Sequence, residues 1–149
     1  MKIAIASDLS GFPLKQAIVK HLQEKGIDVT DFGIPSDSEP QPYFIQAPKV
    51  VKAILNGEVE KGILVCGTGQ GMAIVANKFK GIYACVVNDI FSGERAKIIN
   101  NANIITLGSQ VIGTELAKCL VDAYLPLVFD SASRSKPKVD RITEYEKQC

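Results

Sequence analysis

Short apolar runs alternate with amphipathic stretches along the whole chain of 149 residues. Continuous apolar runs bounded by turn residues are typical of buried strands, whereas apolar positions that recur every three or four residues indicate helices. The predicted strands are Lys2–Ala6, Ile27–Gly33, Gly62–Val65, Ile82–Val87 and Asn103–Gly108. Strands that alternate with helices form βαβ units, so we predict a doubly wound, three-layer α/β fold around a five-stranded parallel sheet.

Helical spacing of apolar residues fills the intervals between these strands. The predicted helices contain Leu14–Leu22, Val50–Ile54, Met72–Lys78, Phe91–Ile99, Val111–Tyr124 and Val139–Lys147. Two segments rich in proline, serine and charge, Ile34–Pro42 and Asp130–Lys138, are predicted loops. No repeat, linker or low-complexity tract interrupts the pattern, which predicts a single domain over residues 1–149.

The composition excludes several classes of protein. Hydrophobic residues make up 46% of the chain and charged residues 22%, and the net charge is +1. This balance provides no overall field that would attract nucleic acid or a membrane surface, so we expect neither as a partner. The four cysteines have no paired spacing, which argues against a zinc knuckle or a CxxC redox motif. The first apolar run is too short for a signal peptide, so we expect a cytoplasmic protein with reduced thiols.

In doubly wound sheets, ligands bind at the carboxyl ends of the strands. Three such ends carry polar or glycine-rich residues, namely Ser7–Gly11, Cys66–Gly71 and Asn88–Ser92. The sequence CGTGQG of Cys66–Gly71 lies between a predicted strand and a predicted helix, where its N–H groups suit an anion or a developing oxyanion. It matches neither the dinucleotide pattern GxGxxG nor the P-loop, which ends in Lys-Ser/Thr. A simple glycine turn is the alternative interpretation.

The cysteines require two interpretations. Cys66 is predicted to lie beside the loop amides, a setting that favours a thiolate and therefore a base or a nucleophile. The alternative is a small, buried, hydrophobic side chain at the end of a strand. Cys85 and Cys119 fall within predicted elements and fit that alternative, and Cys149 is terminal.

Histidine chemistry is limited, because His21 is the one histidine of the chain. We interpret it as part of a solvated face of the first helix, which argues against a Cys–His pair and against a three-ligand zinc site. Acid–base chemistry is therefore left to Cys66, Asp8 and hydroxyls such as those of Thr68 and Tyr43.

A cationic tail follows the last long helix and contains Arg134, Lys136, Lys138 and Arg141. Such a segment can close over an anionic ligand, or it can be the solvated, charged start of a helix.

Four segments carry a family resemblance: IAIASDLSGFPLKQAIVKHL, VTDFG, ILVCGTGQGMAIVANKFKGIYA and NNANIITLGSQVIG. In order and in spacing they resemble the ribose-5-phosphate isomerase B and galactose-6-phosphate isomerase family over nearly all of the chain. The resemblance implies a Rossmann-like fold, a homodimer or homotetramer with active sites across the subunit interface, and no metal or nucleotide cofactor. It also implies interconversion of aldose and ketose sugars, mostly phosphates.

The resemblance assigns roles to matching residues. Cys66 matches the base that moves a proton between C1 and C2 of the sugar through an enediolate, and Thr68 and the loop amides match the anion hole. Asp8 matches an aspartate near the sugar ring oxygen. The substrate-binding residues implied are Tyr43, Gly67, Gly69, Gln70, Gly71, Met72, Asn100, Arg134 and Lys138, of which Asn100 matches a residue contributed by the partner subunit.

The chain departs from the family pattern at four places. Leu9 and Ile99 stand where the family has histidines, one of which assists ring opening, and Gln110 stands where an arginine is frequent. Lys138 replaces an arginine of the tail. Each lost charge-assisted contact would weaken phosphate binding by roughly 1.5–3 kcal/mol.

We therefore expect an aldose–ketose isomerase of a pentose, hexose or tetrose phosphate. Two alternatives fit the departures. One is an isomerase of a linear or unphosphorylated acidic sugar, and the other is a non-catalytic partner of a related second subunit.

Overall fold

Five parallel strands form one sheet in the computed structural model, which describes residues 1–33 and 41–148. The strands are β1 Lys2–Ser7, β2 Asp28–Asp31, β3 Lys61–Cys66, β4 Ala84–Val86 and β5 Ile104–Gly108. Their order across the sheet is β2-β1-β3-β5-β4, and every neighbouring pair is parallel. The predicted five-stranded parallel sheet is confirmed.

Helices cover both faces of this sheet. They are α1 Phe12–Glu24, α2 Tyr43–Leu55, α3 Gln70–Ala76, α4 Ile90–Ile98, α5 Thr114–Tyr124 and α6 Lys136–Glu146. Buried residues of α1, α4 and α5 belong to one core cluster, and those of α2 and α3 to another. The doubly wound, three-layer arrangement is thus confirmed. No helix in the described part of the chain has the length and hydropathy needed to cross a membrane.

The central strand β3 shows why the layers form. All six of its residues are buried, as expected of a parallel strand covered on both faces. Ile63 and Val65 belong to the core under α1 and α5, whereas Leu64 and Cys66 belong to the core under α2 and α3. The alternation therefore places Cys66 at the carboxyl edge of the sheet, on the face that carries α2 and α3.

Several element boundaries differ from those predicted. Helix α2 begins at Tyr43, well before the apolar spacing at Val50–Ile54 indicated, and it includes Pro48. Helix α5 begins at Thr114 instead of Val111, because the N–H groups of Val111 and Ile112 donate to the carbonyl of Gly108 in a turn. Helix α6 begins three residues early, at Lys136, because a proline in the first turn of a helix needs no N–H partner. Of the predicted loop 34–42, residues 34–40 lie outside the described residues.

Two side-chain predictions need correction. His21 does not lie on a solvated face, since its Nε2 is 2.9 Å from Oδ1 of Asp122 and the pair ties α1 to α5. Cys119 is exposed and not buried. Cys85 fits its prediction better, because it is half-buried and burial raises the pKa of its thiol.

Candidate active site

Three loops meet at the carboxyl edge of the sheet, where β1 and β3 lie side by side and their connections diverge. Strand register pairs Ser7 with Val65 and Cys66 with Gly108, so the residues that follow these strands are neighbours. The N–H of Asp8 donates to the Val65 carbonyl at 3.3 Å, and the N–H of Ser109 donates to the Cys66 carbonyl at 2.8 Å. This edge is the topological switch point, where ligands bind in open α/β sheets.

The sulfur of Cys66 accepts a hydrogen bond from the loop that follows it. The N–H of Gly69 lies 3.1 Å from Sγ, and the Cys66 side chain is only 4% exposed. Gly69 adopts the left-handed conformation, with φ of +79°, which non-glycine residues rarely adopt. The glycine at this position therefore lets the chain turn so that an amide faces the thiol.

Thr68 and Gln70 form the outer part of the loop. The N–H of Gln70, the first residue of α3, donates to Oγ1 of Thr68 at 3.3 Å. Both residues are exposed, so the Thr68 hydroxyl is accessible from solvent. Gly67 is half-buried. Met72 is fully buried in the core with α2, so only its backbone N–H can serve the binding role implied by the resemblance.

The ring of Tyr43 lies over Gly71. A Cβ atom on Gly71 would come within 2.8 Å of the tyrosine ring, so only glycine permits this close contact. Tyr43 begins α2, and its ring contacts that of Phe44 edge to face at 5.5 Å. The structure thereby brings the predicted pocket tyrosine directly onto the predicted anion loop.

Asp8 lines a small crevice beside this loop. Its Oδ1 accepts the N–H of Gly11 at 2.9 Å, which fixes the turn into α1. The crevice has a volume of about 150 Å³ and is lined by Asp8, Leu9, Ser10, Gln41 and Pro42. Leu9, which stands where the family has a histidine, is 42% exposed and supplies an apolar wall.

Residues after β5 complete the edge, and sequence reasoning overlooked one of them. Ser109 donates its hydroxyl to the Ser10 carbonyl at 2.8 Å and so links the β5 loop to the β1 loop. The N–H of Gln110 donates to the Gly67 carbonyl at 2.9 Å, and a Cβ on Gly67 would lie 3.4 Å from Cδ of Gln110. The signal for Ser109 was its place just after β5, since every strand end of this sheet points to the same edge.

Three predicted site residues do not join this group within one chain. Asn100 follows α4, which runs back to the amino edge of the sheet, where β5 begins. Arg134 and Lys138 belong to the tail after α5, which ends at that same edge. There α6 docks through Thr143, whose Oγ1 lies 2.6 Å from the hydroxyl of Tyr83. The predicted residues are thus divided between opposite edges of one sheet.

The described residues hold no cluster of three or more His, Cys, Asp or Glu side chains arranged to bind a metal ion. What this edge offers is a sheltered thiol with an amide that faces it, hydroxyls and the carboxylate of Asp8. Such a set suits proton transfer next to a carbonyl group.

Comparison with known proteins agrees with this chemistry. The ribose/galactose isomerase family matches residues 3–142. The ribose-5-P isomerase B of Listeria innocua is 45% identical over 148 residues, covering 99% of each chain. The D-erythrulose-4-phosphate isomerase of Pectobacterium atrosepticum is 44% identical over 148 residues, covering 99% of this chain and 97% of the relative.

A solved structure shows the same fold. The ribose-5-phosphate isomerase B of Clostridium thermocellum superposes with a TM-score of 0.94 at 39% identity, covering 99% of each chain. The chain therefore belongs to the ribose/galactose isomerase family of sugar-phosphate aldose–ketose isomerases.

Proposed function

We propose that Cys66 is the base of an enediolate mechanism in this isomerase. The thiolate takes the proton from the carbon next to the substrate carbonyl, and the electron pair of that C–H bond forms the enediolate. The hydroxyl of Thr68 passes a proton between the two oxygens, and Cys66 returns its proton to the neighbouring carbon. The sugar thus changes from aldose to ketose without an external oxidant or reductant.

The observation that carries this proposal is the bond from the Gly69 N–H to the Cys66 sulfur at 3.1 Å. An amide that faces the sulfur stabilises negative charge on it, and the other amides of the loop are available to the enediolate oxygen. Burial of the thiol excludes water from the proton transfer.

We also propose that the preferred substrate is a four-carbon sugar phosphate. A tetrose that carries its phosphate on O4 cannot close a five-membered ring, so it needs no group for ring opening. The chain has one histidine, His21, which is engaged with Asp122 between α1 and α5, and Leu9 lines the crevice beside Asp8. The relative from Pectobacterium atrosepticum, whose name specifies D-erythrulose 4-phosphate, supports this choice.

A substrate panel tests the preference. D-erythrulose 4-phosphate, ribose 5-phosphate, hexose 6-phosphates and unphosphorylated keto-uronates would be compared by kcat/KM. We expect a preference of at least about tenfold for the four-carbon phosphate, which corresponds to ~1.4 kcal/mol. Equal or better turnover of ribose 5-phosphate would contradict the four-carbon assignment, and turnover of keto-uronates alone would contradict a phosphate substrate.

We further propose that a second copy of the chain completes each site. Asn100 follows α4 at the edge of the sheet opposite Cys66, and the tail that carries Arg134 and Lys138 begins at that edge after α5. A twofold dimer would bring one copy's amino edge to its partner's carboxyl edge. Arg134 and Lys138 would then hold the distal phosphate and Asn100 would contact the sugar.

Complementation between inactive variants tests this arrangement. Cys66→Ala and Asn100→Ala would each be inactive alone, yet mixed and reassembled dimers should recover about one quarter of the sites. If mixing restores no activity although mixed oligomers form, each site is built within one chain. Activity of the chain by itself also distinguishes a homo-oligomer from one that needs a related second subunit.

A further inference from the structure

The turn that follows α5 surrounds the buried ammonium group of Lys61. Lys61, the first residue of β3, is 7% exposed. Its Nζ donates to the carbonyls of Tyr124 at 3.3 Å, Leu125 at 2.6 Å and Leu127 at 2.6 Å. A lysine ammonium has three N–H donors, so each of them has an acceptor within this single turn.

The end of α5 requires a donor at this place. The last carbonyls of a helix have no intrahelical partner, and Pro126 brings no N–H group to the turn. The ring of Tyr124 lies 4.9 Å from Nζ, so it adds a cation–π contact on the same ammonium. Lys61 therefore caps the end of α5 and stabilises the turn that follows it.

The charges around Lys61 do not explain its burial as an ion pair. Lys97 of α4 faces it with a like charge, and Glu60 precedes it with an opposite charge that is shared with the amino group of Met1 at 3.8 Å. Burial first, and then the charge of Lys97, lower the pKa of Lys61 to about 8, which leaves it protonated at neutral pH. A buried cation that forms no salt bridge within the described residues is costly, and its three hydrogen bonds here stabilise the geometry of the turn.

The tail that starts at this turn makes a second contact with the rest of the chain near its end, in α6. Beyond the turn, α6 is fixed to the segment before β4, because the N–H of Gly81 donates to Oε1 of Glu146 at 3.1 Å. Along the chain, Arg134 and Lys138 lie between the turn held by Lys61 and the contact of Glu146 with Gly81. The path of the chain between the two anchors sets where these two cations lie.

We propose that Lys61 is a positioning residue for the distal anion of the substrate, acting through the tail that carries Arg134 and Lys138. The inference rests on the proposed function, in which those two side chains hold the phosphate. Lys61 itself would contact neither the substrate nor the reacting atoms.

The experiment is a double-mutant cycle on KM, with Lys61→Met and the pair Arg134→Gln with Lys138→Gln. In the full-length enzyme we expect Lys61→Met to raise KM for the sugar phosphate about fivefold to twentyfold, with kcat changed by less than about threefold. In the Arg134→Gln, Lys138→Gln background the same substitution should raise KM less than about twofold further, because the effect passes through the tail. Lys20→Met, an exposed lysine of α1, is the matched control and should change neither constant.

Three outcomes distinguish a failure of the Lys61 inference from a failure of the proposed phosphate binding by Arg134 and Lys138. If Lys61→Met raises KM equally in both backgrounds, or lowers kcat in place of raising KM, Lys61 is a general structural residue and the inference is wrong. If the tail substitutions raise KM but Lys61→Met does not, the inference about Lys61 is wrong, and the proposal that Arg134 and Lys138 hold the phosphate is supported. If the tail substitutions leave KM unchanged, Arg134 and Lys138 do not hold the phosphate, and the inference about Lys61 is then wrong as well.

A second variant and a second measurement keep the test decisive if Lys61→Met does not fold. Lys61→Gln retains a short donor that can still reach one carbonyl, so we expect a smaller rise in KM of the same kind. Hydrogen exchange should accelerate in residues 127–136 of that variant and stay unchanged in β5. Unchanged exchange in residues 127–136 would contradict the anchoring role.

Discussion

The backbone N–H of Gly69 donates a hydrogen bond to the sulfur of Cys66 at 3.1 Å. The proposed base and the amide that faces it therefore belong to one four-residue turn, and their relative position depends on the left-handed conformation of Gly69. This relationship explains why the second of the three glycines after the cysteine is a glycine. The loop has to turn so that the Gly69 N–H faces the thiol.

Gly69→Ala should impair catalysis by disturbing this turn. An alanine at φ of +79° costs roughly 1–2 kcal/mol, and its Cβ would lie 3.2 Å from the backbone of Leu107. We expect kcat to fall at least about tenfold, with a loss of ~1–3 kcal/mol in the free energy of unfolding. Gly113→Ala is the control, because its Cβ would meet no atom within 4 Å. Wild-type kcat in Gly69→Ala would show that the amide does not assist Cys66.

Gly71→Ala should displace Tyr43 from the loop. The new Cβ would approach the tyrosine ring to 2.8 Å, so the ring or the first turn of α3 must move. We expect KM to rise about tenfold and stability to fall by ~1–3 kcal/mol. Tyr43→Ala removes the clash, so in that background Gly71→Ala should cost less than about 0.5 kcal/mol of stability. Additive losses of stability in the double variant would show that Gly71 acts independently of Tyr43.

Gln110→Arg should tighten phosphate binding. The Gln110 side chain lies against Gly67 at the carboxyl edge, where the family resemblance leads one to expect an arginine. One added charge-assisted bond is worth roughly 1.5–3 kcal/mol, so KM for sugar phosphates should fall about tenfold or more. Gln110→Met, which is similar in length and neutral, should bring no gain, and unphosphorylated sugars should be unaffected by either variant. An equal gain for unphosphorylated sugars would place Gln110 away from the phosphate.

Lys61 should make the free energy of unfolding depend on pH in the alkaline range. Its pKa is lowered from 10.5 to about 8 by burial first and then by the charge of Lys97. Between these values the unfolded chain binds more protons than the folded chain, so the free energy of unfolding rises with pH across this window. The rise is at most roughly 3 kcal/mol, and below pH 8 the cost of the buried charge is fully present.

Urea unfolding at several pH values measures this contribution. The difference in unfolding free energy between wild type and Lys61→Met should shift in favour of wild type from pH 8 to pH 10.5. Taking the difference cancels the contributions of the lysines that do not interact with Lys61, whereas Lys97 is coupled to Lys61 by charge. Parallel curves for the two proteins would contradict a perturbed Lys61.

The fold was predictable because the apolar runs are unambiguous. A strand such as β3, which is apolar from Gly62 to Cys66 and buried there, leaves a continuous apolar signal that local sequence reveals. The start of α2 at Tyr43 was not predictable in the same way, because Tyr43, Phe44 and Ile45 are exposed and give no amphipathic pattern. Proline at position 48 also argued against a helix there.

The geometry of the central loop was predictable from local sequence. Cys66 and its glycines are contiguous, so a turn that brings backbone amides to the thiol can be predicted from their spacing, whereas the role of Cys66 as a base was implied by the family resemblance. Lys61 and His21 were not recognised as structural partners, because their acceptors lie 63 and 101 residues away in sequence. Contacts across such separations arise only when the sheet brings the elements together.

Proton exchange with solvent tests the central claim, that Cys66 is the base of a sugar-phosphate isomerase. Wild type, Cys66→Ala and the control Cys85→Ala would each be incubated in D₂O with D-erythrulose 4-phosphate or ribose 5-phosphate, and deuterium at C1 and C2 would be followed by NMR. We expect exchange with wild type and Cys85→Ala, and a rate lower by roughly 10²–10⁴-fold with Cys66→Ala. Exchange by Cys66→Ala at close to the wild-type rate would contradict the assignment of the base, and no exchange by wild type with either sugar would contradict an isomerase active on its own.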